Sequence, residues 1–168
     1  MTPIVCVVGK SNVGKTTLVV KIITELKRRN YKVSTIKHDV HGFDIDKPGK
    51  DTWKHAQAGA DSVMISSPNK IAMIKKVEEE WNLDKLMELN NDSDIIVAEG
   101  FKTSDKPKIE VIRSEKYTQS ICKKEDLIAI ASDINHNVEG VAVVDLNDAA
   151  GLVDIIEEKI LNTRKCDE

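Results

Sequence analysis

Residues Gly9 to Thr17 read GKSNVGKTT, and this stretch limits the fold of the chain more than any other. Gly9, Gly14, Lys15 and Thr16 stand at the fixed positions of the pattern G-x-x-x-x-G-K-[ST]. The residues before it, Pro3 to Val8, form an apolar run with β-branched members, which predicts a buried strand. The residues after it, Leu18 to Arg29, have helical spacing. A strand that feeds a Gly-rich turn into a helix N-terminus is the arrangement that cradles phosphate. Glycines let the backbone approach the anion, successive N–H groups point into the loop, and the helix dipole adds positive potential. In such a loop Lys15 reaches the β- and γ-phosphates and the Thr16 hydroxyl ligates Mg²⁺. Lys10, Ser11, Asn12, Val13 and Thr17 complete the cradle. The alternative, a chance Gly-rich turn, has to account for every fixed position and for both flanking elements. Nucleotide phosphate binding is therefore the expectation.

The rest of the composition narrows the class. A length of 168 residues fits one nucleotide-binding domain over 1–161, followed by a polar tail over 162–168. The net charge of −3 is a mixture of signs, with no polybasic face for nucleic acid or for an anionic membrane. No apolar run approaches the ~20 residues of a membrane span. The first residues have neither the basic region nor the cleavage site of a secretory signal. Cys6, Cys122 and Cys166 are scattered and odd in number, which argues against a disulfide framework and for a cytoplasmic protein.

The pattern along the chain alternates strand and helix. The first helix, Lys15 to Asn30, sets Leu18, Ile22 and Leu26 on one stripe. Tyr31–Ile36 is a second strand, and Lys37–Lys50 is a long polar loop. Asp51–Ala58 reads as a short helix capped by Asp51. Ser62–Ser66 and Lys70–Lys75 flank Ser67-Pro68-Asn69, a hairpin signal that predicts an antiparallel part of the sheet. Leu83–Leu89 is a helix. Asp94–Ala98, Lys108–Ile112, Leu127–Ala131 and Val141–Val144 are strands. A last helix, Asp148–Leu161, takes Asn147 as its N-cap. The expected class is α/β with a P-loop NTPase fold, a mostly parallel sheet, helices on both faces and one antiparallel hairpin. Ligands in such sheets bind at the carboxyl ends of the strands.

Two further elements carry chemistry. Glu99 ends the run Ile95-Ile96-Val97-Ala98, and an acidic residue at the end of a buried strand is what a P-loop site uses to hold Mg²⁺. Many strands end in a charge, but beside a P-loop the metal role is the favoured one. Lys15 and Glu99 are thus the candidate catalytic pair, and Thr16 and Glu99 the candidate metal ligands. The second element, Lys37 to Asp51, holds two His and four Asp. His38 and His41 lack a cysteine partner, which disfavours structural zinc. A switch-like loop fits better, with an Asp orienting water or Mg²⁺ and Lys37, Lys47 or Lys50 meeting phosphate. A flexible polar loop is the plainer alternative. His55 and His136 are expected to face solvent.

Several segments, in order along nearly the whole chain, carry a family resemblance. They are GKTTL in the loop, IKH at 36–38, DIDKPGKD at 44–51, AGAD at 58–61, VAEGFK at 97–102 and PKIEVIR at 107–113. Together they resemble the molybdopterin-guanine dinucleotide biosynthesis protein B (MobB) family of P-loop GTP-binding proteins. The resemblance implies binding of GTP and Mg²⁺ with weak GTPase activity, and molybdopterin as a further ligand. It implies a homodimer that assists a separate guanylyltransferase of the MobA type. That enzyme joins GMP to molybdopterin to form the guanine dinucleotide of the molybdenum cofactor. It also sets Asp46, Gly49, Lys50 and Asp51 in a loop near nucleotide or pterin phosphate, and turns Lys102 and Arg113 toward an anionic ligand.

Base choice and turnover are less constrained. The N-K-x-D guanine motif is absent. Asp133, after a predicted strand, is either an acceptor for guanine N1 and N2 or a turn residue, and the residues leave both open. No Gln stands where it would position an attacking water, so intrinsic hydrolysis should be slow. Lys10 occupies the place of the signature lysine of deviant Walker A ATPases, which reaches across a dimer. A dimerising ATPase, a small P-loop kinase or ligase, and a non-catalytic adaptor are the rival classes.

Overall fold

The computed structural model describes residues 1–136 and 138–162. Cys166 and the tail over 163–168 lie outside the described residues. In chain order the elements are β1 (Ile4–Val8), α1 (Lys15–Arg28), β2 (Val33–Lys37), α2 (Asp51–Gln57), β3 (Ser62–Ser67), β4 (Lys70–Lys75), α3 (Leu83–Glu88), β5 (Ile95–Glu99), β6 (Lys108–Ile112), β7 (Leu127–Ser132), β8 (Ala142–Asp145) and α4 (Ala149–Ile156). They form two compact units, one of Met1–His38 together with the chain from Leu83 onward, the other of Asp39–Asn82. No helix among the described residues is long and apolar enough to cross a membrane.

The first unit is built on a six-stranded sheet in the order β2-β5-β1-β6-β7-β8. Every neighbouring pair in it is parallel. All residues of β1, β5, β6 and β7 are buried. That is why these strands read as apolar runs: a parallel sheet is covered on both faces and needs no polar side. Alternation along β1 assigns the faces. Val5 and Val7 join Leu18, Ile22 and Leu26 of α1 and Leu152, Val153 and Ile156 of α4 in one core. Ile4, Cys6 and Val8 join Ile36, Ile96, and Leu83 and Met87 of α3 in the other. Helices thus cover both faces, as the class requires.

Two charged side chains interrupt the apolar rule on β6. Lys108 and Glu110 are fully buried and stand two residues apart, so they share a face. Lys108 Nζ donates to Ser104 O, Lys106 O and Asp126 Oδ2. Glu110 accepts from Ser120 Oγ and Ile121 N. Each pins the loop that precedes or follows its strand. Across the other face, Arg29 ties α1 to α4, donating to Glu25, Asp154 and Glu157 at 2.6–2.8 Å.

Local chemistry corrects several end-point expectations. Asp148, not Asn147, caps α4: its Oδ1 accepts from Gly151 N at 2.8 Å. Asn147 instead accepts from Lys21 Nζ at 2.7 Å. The last turns of that helix, Glu157–Leu161, widen into a π-helix. Asp51 does not cap α2; it is the first helical residue, where its charge still suits the dipole, and Lys50 holds the cap position. His136 is half-buried with a ring nitrogen 3.1 Å from Ser132 Oγ, so it does not simply face solvent. His55 is exposed.

The second unit contains α2 and the hairpin of β3 and β4. The hairpin is antiparallel as its turn signal predicts, with Met64 opposite Met73 and Ser67 opposite Lys70. It is a separate two-stranded sheet, not part of the main one.

Candidate functional site

The order of the sheet places the candidate residues. β5 lies beside β1 in register Val7↔Glu99, so Glu99 ends where the loop after β1 begins. The chain leaves β1 through α1 to β2 on one side, while β6 flanks β1 on the other. The connections diverge at this point, which leaves a crevice at the carboxyl ends of the strands.

The loop itself is anchored at both ends. Val13 is buried in the core beneath it, and Asn12 takes a left-handed φ of 59°. Gly9 is needed for close approach: a Cβ there would meet Val111 O at 2.7 Å and the Tyr117 hydroxyl at 3.0 Å. Tyr117 donates its hydroxyl to Val111 O at 2.6 Å and accepts from Lys10 N at 3.2 Å. It thereby ties the first residues of the loop to the end of β6. Burial pushes its phenol up to about 12, so the proton stays in place. The Lys10 ammonium lies over the ring of its own chain's Tyr117, 4.7 Å from the centroid.

Lys15 folds back over the loop and donates to Lys10 O at 2.8 Å and Gly9 O at 3.1 Å. Burial lowers its pKa, Glu99 raises it, and Lys37 lowers it further. Thr16 Oγ1 donates to Glu99 Oε1 at 2.8 Å, and Lys37 Nζ stands 3.4 Å from the same oxygen. A hydroxyl and a carboxylate, both hard oxygen donors, sit together at the helix start. That set fits Mg²⁺, which takes few protein ligands and completes its shell with water and phosphate. Among the described residues no group of three or more His, Cys, Asp or Glu gathers as an all-protein metal cage.

Arg113, the residue after β6, brings a second cation to the loop. A Cβ on Gly14 would lie 3.4 Å from Arg113 Nη2 and 3.7 Å from its Cζ and Nε. Arg113 Nε is buried and has no hydrogen-bond partner. Asp133 is near enough for Arg113 to help hold its carboxyl below the usual range, after the larger effect of the Ser114 N–H. Both Asp133 oxygens accept from Ser114, one from its N–H at 2.9 Å and one from its hydroxyl at 3.2 Å. Asp133 also borders a cavity of about 380 Å³ with Ser132, Asn135 and Asp145.

The remaining candidates are placed elsewhere. Lys102 is exposed, just past β5. Asp46 and Lys50 belong to the second unit, where they line a cleft of about 630 Å³ with Lys47, Thr52, Ile65 and Lys70. Asp46 Oδ1 accepts from Lys47 N and Thr52 Oγ1. Tyr117 is the residue that sequence reasoning missed. Its partner lies more than 100 positions away, and no local motif marks it.

Comparison with known proteins adds the family. The model of the family described as "Molybdopterin guanine dinucleotide synthesis protein B" matches residues 4–133. A molybdopterin-guanine dinucleotide biosynthesis adapter protein of Escherichia coli (strain K12) is 35% identical over 164 residues, covering 94% of this chain and 93% of that protein. The protein of the same description from Haemophilus influenzae is 32% identical over 157 residues, covering 92% and 88%. A crystal structure of Bacillus subtilis MobB superimposes with a TM-score of 0.74 at 26% identity, covering 94% of this chain and 98% of that one.

Proposed function

The chain belongs to the molybdopterin guanine dinucleotide synthesis protein B family, and on that premise we propose that it binds GTP with Mg²⁺ as an adapter. It serves the synthesis of the guanine dinucleotide form of the molybdenum cofactor. The observation that carries the nucleotide reading is the meeting of Thr16 and Glu99 beneath a loop closed by Lys15. Lys15 exchanges its two carbonyl partners for phosphate oxygens, and the loop N–H groups complete the cradle. Thr16 and Glu99 are the residues that would hold Mg²⁺. The ion, when bound, neutralises phosphate charge.

The partner in this reading is the guanylyltransferase that attaches GMP to molybdopterin, and the protein acts as a homodimer in the cytoplasm. Exposed Met64, Ile71 and Met73 on the hairpin offer apolar surface for such contacts. Asp46 and Lys50 would serve a phosphate or pterin ligand of the second unit. Hydrolysis is slow, because no side chain identified at the site positions an attacking water. Asp133 would read guanine by turning one oxygen from Ser114 to the base.

Titration calorimetry of the purified chain against GTP and ATP, each with Mg²⁺, tests this function. GTP binding that exceeds ATP binding at least tenfold is expected. Equal affinity, or preference for ATP, would move the reading to an ATPase or kinase class.

A further inference from the structure

We propose that Arg113 is a phosphate-binding side chain of this site, supplying a cation to the anion that the Gly9–Thr17 loop holds. The proposal rests on the reading of that loop as a phosphate site. Among the described residues the Arg113 guanidinium makes no hydrogen bond and no ion pair, although its Nε is buried. A buried charged donor without an acceptor is costly, and native structures seldom keep one without a use. Asp133 accepts from the Ser114 N–H and hydroxyl, and acts on Arg113 only through space, not as its hydrogen-bond acceptor.

The backbone of Arg113 is fixed by the turn that follows it, which sets the origin of the side chain beside the loop. Arg113 O accepts from Lys116 N and Tyr117 N at 3.0 and 2.9 Å. Tyr117 in turn holds Lys10 and the β6 carbonyl of Val111. The turn that carries Arg113 is thus tied to the same loop that its guanidinium approaches at Gly14. Guanidinium presents a planar fork of donors that matches two oxygens of a phosphate. The ligand class is a di- or triphosphate, free or as part of a nucleotide. A phosphate beside Gly14 gives this guanidinium the acceptor it lacks.

The test compares the full chain with Arg113→Met and Arg113→Lys. Each is titrated with inorganic tripolyphosphate and with GTP, and each is melted without ligand. Arg113→Met should weaken both ligands about 10- to 100-fold, the size of a lost charge-assisted contact. Its melting temperature without ligand should be unchanged or higher, since an unpaired buried donor has gone. Arg113→Lys keeps the charge and loses the fork, so it should fall between the two. Wild-type affinity in Arg113→Met would overturn the proposal. A drop of several degrees in unliganded melting for both variants would also overturn it, making Arg113 a structural residue. Failure of the wild-type chain to bind either ligand would remove the phosphate reading itself, a distinct result.

Discussion

Ile22 of α1 is fully buried, whereas Ile71 of β4 is 70% exposed, and this contrast runs through the two units. The first unit buries whole strands and packs helices on both faces. In the second, Val63 is the one buried residue of the hairpin, and Met64, Ile65 and Met73 join Ile71 at the surface. The first unit therefore sets a loop, a carboxylate and a guanidinium on a closely packed framework. The hairpin places large apolar side chains where they contribute little to its own core and are available for contact. The candidate phosphate loop lies on the closely packed framework, and the exposed apolar surface of the hairpin on the other unit.

Substitution of an isoleucine in each unit should separate them most strongly. Ile22→Ala removes a fully buried side chain and is expected to cost about 3 kcal/mol in urea denaturation. Ile71→Ala should stay within about 0.5 kcal/mol. Equal costs would erase the contrast. A smaller effect is expected at the brace of the loop. Tyr117→Phe loses the bonds to Val111 O and Lys10 N, and should cost about 1 kcal/mol with a few-fold weaker GTP binding. Unchanged affinity would show that the loop keeps its shape without the brace.

The smallest effect concerns acid. Hydrogen bonds from Arg28 and Arg29 hold the Glu25 carboxyl down from 4.5 to about 2. A depressed carboxyl stabilises the fold fully above its unfolded value and loses that contribution as pH falls through the folded one. Stability should therefore decline from about pH 4.5 toward 2 in the native chain, and less steeply in Glu25→Gln. High salt should shrink the difference only modestly, since the Glu25 side chain is 12% exposed. Identical acid limbs in low salt would contradict the role of this network in joining α1 to α4.

The Gly-rich loop, the buried strands and the place of Glu99 at a strand end were legible because each depends on local chemistry. Glycines at fixed spacing, apolar runs and a terminal carboxylate are properties of neighbouring residues. The order of strands is a property of pairing between distant segments, so the partnership of Thr16 with Glu99 was expected only by analogy. Asn147 and Asp148 are both good caps, and backbone geometry alone chose Asp148. Lys108 and Glu110 are charges inside a strand, and only the loops that cover them explain their burial. Tyr117 carried no signal, since its use depends on a turn folding back across β6.

The most direct measurement is the affinity of Lys15→Ala for GTP–Mg²⁺, with circular dichroism to verify the fold. The site described above predicts a folded protein whose binding is weakened at least about 100-fold, because a charged donor to phosphate is lost from a loop built around it. A folded Lys15→Ala chain that binds GTP as tightly as the native one would contradict the phosphate site itself.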